Sequence, residues 1–122
     1  MCVKIYVEQL LGWIFIGMVY CKVQIIEITD SSFYPGICKA IFTDYYGKTH
    51  IIVDKPPIFG FEIENKKYEF PFEAVIRCEI LDDMGNCIVI DTEYPDYIES
   101  QEELHVFKVN KKIIKAMECD YG

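Results

Sequence analysis

A turn device used twice is what most constrains this chain. A β-favouring run leads into Asp44-Tyr45-Tyr46-Gly47 and leaves as a second run that stops at Asp54 and Pro56-Pro57. The pattern returns around Asp82-Asp83-Met84-Gly85, with Asp91 and Pro95 beyond. Asp-x-x-Gly suits a type I turn closed by a left-handed glycine, the geometry of a short hairpin loop. Two hairpins therefore organise the chain. Asp44 and the pair Asp82-Asp83 are expected to be turn formers, bonding backbone amides two residues on.

The runs around these turns carry the period of two expected of half-buried strands. Val19, Cys21, Val23 and Ile25 alternate with Tyr20, Lys22 and Gln24. The phase then slips, with Ile26 and Ile28 apolar and Glu27 and Thr29 polar, which predicts a β-bulge near Ile25-Ile26 and a long, bent strand with neighbours on both sides. Ala74, Ile76, Cys78 and Ile80 alternate against Arg77 and Glu79, and further strands are expected over residues 37–43, 48–53, 87–91 and 104–109. The aromatic stretch 58–72, centred on Asn65-Lys66-Lys67, reads as a short hairpin, residues 30–36 as a loop, and the tail 111–122 as one or two helical turns. The fold expected is all-β and mainly antiparallel, a small barrel or strongly curved sheet of about five to seven strands. Its domain would span 18–110, with an apolar extension over 1–17 packed on it.

At 122 residues the chain is long enough for one core and too short for two domains. Apolar residues at 52% put it far from compositions that stay disordered. A formal charge of -8 works against nucleic acid and anionic lipid and favours a basic protein, although the same charge also serves solubility. Of six cysteines, Cys21, Cys38, Cys78 and Cys87 stand in apolar runs, where a free thiol behaves as a small hydrophobe. No Cys-x-x-Cys occurs, and no histidine is spaced for zinc, so the cysteines read as reduced core residues of a cytoplasmic protein. The uncharged stretch 10–21 is too short to span a bilayer. It has the length of a signal core, but Glu8 precedes it and no small-residue cleavage pattern follows.

The strongest local charge feature is Asp91, Glu93, Asp96, Glu99, Glu102 and Glu103, with Tyr94 and Tyr97 interleaved and no Lys or Arg. Such a loop can present carboxylates and rings to a basic cleft, or it can be a solvated surface whose tyrosines pack back on the barrel. It lacks the glycine of an EF-hand, and no metal or cofactor is expected. His50 and His105 stand in predicted strands with no nucleophile placed beside them, and an outward-pointing strand histidine is the expectation for each. An enzyme would instead need one of them beside a carboxylate in a pocket. Tyr20, Phe33, Tyr34, Tyr45 and Tyr46 could form a stacking platform, with only Lys22, Lys39 and Lys48 near them.

At Tyr34-Pro35-Gly36-Ile37, Phe42-Thr43-Asp44-Tyr45-Tyr46-Gly47-Lys48, Asp54-Lys55-Pro56-Pro57 and Pro95-Asp96-Tyr97-Ile98-Glu99-Ser100 the chain resembles small acidic bacterial proteins associated with immunity to polymorphic toxins. The resemblance covers about residues 19–109 and brings no catalytic residue with it. It implies an immunity-type inhibitor, and the acidic, aromatic loop is the face expected to occlude a basic toxin without catalysis, through Asp91, Glu93, Tyr94, Asp96, Tyr97, Glu99, Glu102 and Glu103, with Asp82-Asp83 as a further contribution. The alternative is an OB-like barrel binding a ligand or nucleic acid, against which stands the lack of a helix signal in 58–72.

Overall fold

A computed structural model describes residues 4–9, 12–30, 36–64 and 66–117. Its spine is a 19-residue strand, β2 (Gly12–Asp30), preceded by β1 (Lys4–Gln9), which pairs with it antiparallel from Lys4↔Gly17 to Gln9↔Gly12. The apolar segment read as an extension thus supplies one hairpin strand and the first part of the spine.

Six more strands follow: β3 (Ile37–Thr43), β4 (Thr49–Asp54), β5 (Phe72–Asp83), β6 (Cys87–Asp91), β7 (Val106–Asn110) and β8 (Ile114–Ala116). The main path is β4-β3-β2-β5-β6-β7, antiparallel throughout, and it curls into a half-barrel. Every chain reversal is therefore a hairpin or a loop. One edge of β2 carries β5, from Met18↔Glu79 to Ile25↔Phe72, and the other carries β8 at Val19 to Cys21 and β3 from Gln24 onward. The register shifts between Ile25 and Glu27, where the broken alternation places a bulge. The β2–β3 ladder shifts again between Ile28 and Asp30, and the β5–β6 ladder shifts between Ile80 and Asp82, where Leu81 turns outward.

The inward phase of each strand builds one core that includes Ile25, Ile52, Ile76 and Ile90, each at most 1% exposed. Burying a side chain of this size contributes about 1.5–3 kcal/mol. Cys21, Cys38, Cys78 and Cys87 are free thiols in that core. Burial pushes the Cys21 thiol up to about 12, and burial together with the charge of Asp54 takes Cys38 to about 11. Neither is a nucleophile at neutral pH.

Both Asp-x-x-Gly turns form as expected. Asp44 Oδ1 accepts from the Tyr46 and Lys48 amides, Asp83 Oδ1 accepts from the Gly85 amide, and Gly47 and Gly85 take φ of 86° and 94°. Strand pairing leaves β4 and β7 as the two ends of the path, and other contacts bridge them. The Tyr45 amide donates to the Lys108 carbonyl at 2.7 Å, and the Gln101 amide donates to the Ile51 carbonyl at 2.8 Å.

One sequence expectation fails and another is met only in part. Among the described residues of 58–71 there is no strand and so no hairpin. A 3-10 turn at Pro56–Phe59 buries Pro56 and Phe59 and ends at Gly60, and β5 starts only at Phe72. The rings between them pack on one another, Tyr68 on Phe72 at 5.5 Å and Phe61 on Phe72 at 5.3 Å, instead of alternating across a ladder. The tail forms a single 3-10 turn, Lys111–Ile113, capped by Asn110, whose side chain accepts from the Lys112 amide; the chain then becomes β8. Phe33, Tyr34, Cys2, Cys119 and the end of the tail lie outside the described residues.

Candidate functional site

The loop between β6 and β7 is fastened at its base, middle and far side. At the base, Asp91 Oδ1 accepts from the Glu93 amide and lies 2.9 Å from His105 Nδ1. Thr92, in phase with Ile88 and Ile90, is buried. Its amide donates to the His105 carbonyl and its hydroxyl to the Ile98 carbonyl at 2.7 Å. Ile98 is a core residue at 0% exposure, and its amide returns to the Thr92 carbonyl. On the far side Ser100 is buried, its hydroxyl accepts from the Leu104 amide, and Gln101 docks on β4.

These anchors hold two non-glycine residues in left-handed backbone, Tyr97 at φ 54° and Glu103 at φ 64°. Such conformations cost on the order of 1 kcal/mol each and persist only where the surroundings impose them. The amide of Tyr97 donates to the Glu93 carbonyl and that of Glu103 to the Ser100 carbonyl. The loop therefore has one defined shape, and it holds Tyr94 57% and Tyr97 77% exposed.

The eight residues singled out from sequence divide into groups. Asp96 is held by Arg77 through two hydrogen bonds of 3.0 and 2.6 Å, and Glu102 by Lys48 at 2.8 Å. Asp91 serves the loop base. Glu93, Glu99 and Glu103 have no Lys or Arg partner among the described residues, and they flank the two exposed tyrosines. Asp82 and Asp83 do not join this face, because they adjoin the turn at the opposite end of β6, roughly 15 Å away by strand rise. Arg77, Lys48, Thr92 and Ser100 shape the loop and escaped the sequence reading. Only Thr92 left a signal there, its phase with the apolar positions of β6.

The expectation that both histidines point outward is corrected for His50 alone, since His105 keeps 39% of its side chain exposed. His50 is 3% exposed, its ring 4.7 Å from Phe107 and 5.3 Å from Phe42, and its Nε2 lies 2.7 Å from Asp44 Oδ2. Nδ1 has no hydrogen-bond partner among the described residues. Burial works to raise the Asp44 carboxyl, but hydrogen bonds from His50 and from the Lys48 and Tyr46 amides outweigh it and hold the group below its ordinary range. His105 is half-buried. Its hydrogen bond to Asp91, with the charges of Asp91, Glu93 and Glu99, outweighs desolvation and raises its pKa. Asp91 is lowered, the Glu93 amide and His105 together outweighing burial.

Asp91, Glu93 and His105 place three potential ligand atoms within 4.8 Å of one another, so they are the described residues that could hold a cation. His105 Nδ1 already faces Asp91 at hydrogen-bond distance, and a cation would have to displace that bond. Neither histidine lines the cavities found near Phe61 and Tyr68, at the β2–β3 junction or beside Ser100. Of the stacking platform, Phe33 and Tyr34 lie outside the described residues, and the described members do not gather around free cations. Tyr45 and Tyr46 lie under Lys108, Lys39 pairs with Glu27 and Lys48 with Glu102, and Tyr20 is on β2.

No family model, curated protein or solved structure matches this chain. Among the described residues no helix is long and apolar enough to cross a membrane.

Proposed function

We propose that the protein is a non-enzymatic protein-binding module that captures a basic partner with the 92–105 loop, and that within this class it is an immunity-type inhibitor occluding a basic toxin in the cytoplasm. The observation that carries the reading is the display of Tyr94 and Tyr97 on a clamped, locally strained loop beside carboxylates that no Lys or Arg among the described residues neutralises. Ordering cost has been met in the free protein, so ring burial would go directly into slow dissociation. Glu93, Glu99 and Glu103, with the net charge of -8, would speed encounter with a cationic surface. Four unpaired core thiols fit a reducing compartment.

The test is capture on immobilised protein from the source cells, comparing the wild type with Y94A/Y97A and with E93Q/E99Q/E103Q. The reading expects a basic protein retained by the wild type. It should be lost with the tyrosine variant, and be captured more slowly and with less salt dependence by the glutamine variant. Retention that both variants leave unchanged would remove the loop from the contact surface.

A further inference from the structure

The ladder between β2 and β3 begins at Gln24↔Ile41, and beyond that point β3 leaves β2. Phe42 and Thr43 pair only with His50 and Thr49 of β4. On the same edge of β2, β8 pairs no further than Cys21↔Ile114. Lys22 and Val23 are left between two strands that each stop short of them, and a cavity of about 370 Å³ opens there. Its position is fixed by the fold. The Asn110 cap sets the 3-10 turn that brings Lys112 and Ile113 to one side, and Ile113 packs against the core.

We propose that this cleft binds a small organic anion with an apolar tail. Buried Val23 and Phe42, with half-buried Ile41 and Ile113, give an apolar lining of the kind small-molecule sites use, and the volume lies in their range. Lys22 and Lys112 border it. Neither is matched by a carboxylate among the described residues, whereas Lys39, Lys48, Lys66 and Lys111 each are. Glu73 is the single acid on the rim, so two ammonium groups face one carboxylate in a protein whose overall charge is strongly negative. Lysine suits this arrangement, since its stem lies along apolar surface while the ammonium acts as a point charge for a carboxylate, sulfonate or phosphate. The proposal does not depend on the 92–105 loop.

The experiment is a titration of the full chain with sodium hexanoate and, separately, with hexan-1-ol, followed through backbone amide shifts. Hexanoate should give saturable shifts at residues 22–24, 41–43 and 112–113, and hexan-1-ol weaker ones at the same amides. K112Q removes an exposed ammonium without touching the core and should weaken hexanoate about threefold, and E73Q should tighten it by a similar factor. Equal affinity for the alcohol and the acid would overturn the proposal. So would shifts elsewhere, no saturable shifts, or indifference to both K112Q and E73Q.

Discussion

His50 meets Asp44 at 2.7 Å and His105 meets Asp91 at 2.9 Å, one pair beside a hairpin turn and the other at the base of the 92–105 loop. The chemistry is the same and the surroundings are not. The first histidine is 3% exposed between Phe42 and Phe107, and its aspartate also receives the amides that close the β3–β4 turn. The second is 39% exposed in its side chain and has Glu93 3.8 Å away. Burial decides the consequence, because a buried partner left unsatisfied keeps its desolvation penalty whereas an exposed one is rescued by water. The His50 pair belongs to the fold, and the His105 pair is a latch on a working surface.

The largest effect should come from His50→Ala, which opens a cavity between two phenylalanines and leaves Asp44 Oδ2 without its partner. We expect about 3 kcal/mol lost from the unfolding free energy, read as a lower urea midpoint at constant slope. A loss under about 1 kcal/mol would break the contrast between the pairs.

Asp44→Asn keeps the turn-forming oxygen and loses the charge-assisted bond, which should cost about 1–2 kcal/mol near neutral pH. The depressed Asp44 pKa means that its contribution is present above the ordinary carboxyl value and is lost as pH falls through the lower folded one. Wild-type stability should therefore fall more steeply than that of the variant below about pH 4, as monitored by thermal melts.

Tyr97→Gly sharpens the comparison from the loop side. Glycine relieves the left-handed backbone at Tyr97 while adding freedom to the unfolded chain, so stability should change by less than about 1 kcal/mol. Partner capture should nevertheless drop sharply, because the exposed ring is gone. A large loss of stability would mean that the ring supports the fold.

The smallest effect is local. His105 has a raised pKa, so its contribution to the latch is complete below the ordinary value of 6.5 and declines as pH rises through the folded value. Asp91 is depressed, and its contribution fades only in acid, below the ordinary carboxyl range. Amide-exchange protection of Thr92 and Ile98, corrected for intrinsic rates, should weaken from mildly acid to alkaline pH in the wild type and stay flat in H105Q.

Much of the fold was legible because its signals are local. Alternation marks the inward faces of β2 and β5, the broken phase after Ile25 marks the bulge, and the Asp-x-x-Gly turns bind their own amides. The stretch 58–72 misled because aromatic density looks strand-like, and nothing local shows that Tyr68 and Phe61 will pack on Phe72. The site was half legible. Its acidic and aromatic composition is plain in one dimension, but the cations that remove Asp96 and Glu102 from the open surface come from β5 and from the β3–β4 turn. Burial of His50 had a signal in its phase with Ile52, yet the partner across the hairpin turn becomes evident only once the turn is built.

The claim on which the functional reading rests is that the 92–105 loop holds its shape before any partner arrives. Backbone ¹⁵N relaxation of the free protein tests it most directly. Order parameters of about 0.85 through residues 92–104, level with β6 and β7, are the predicted result, and values below about 0.6 at Tyr94 and Tyr97 would contradict it.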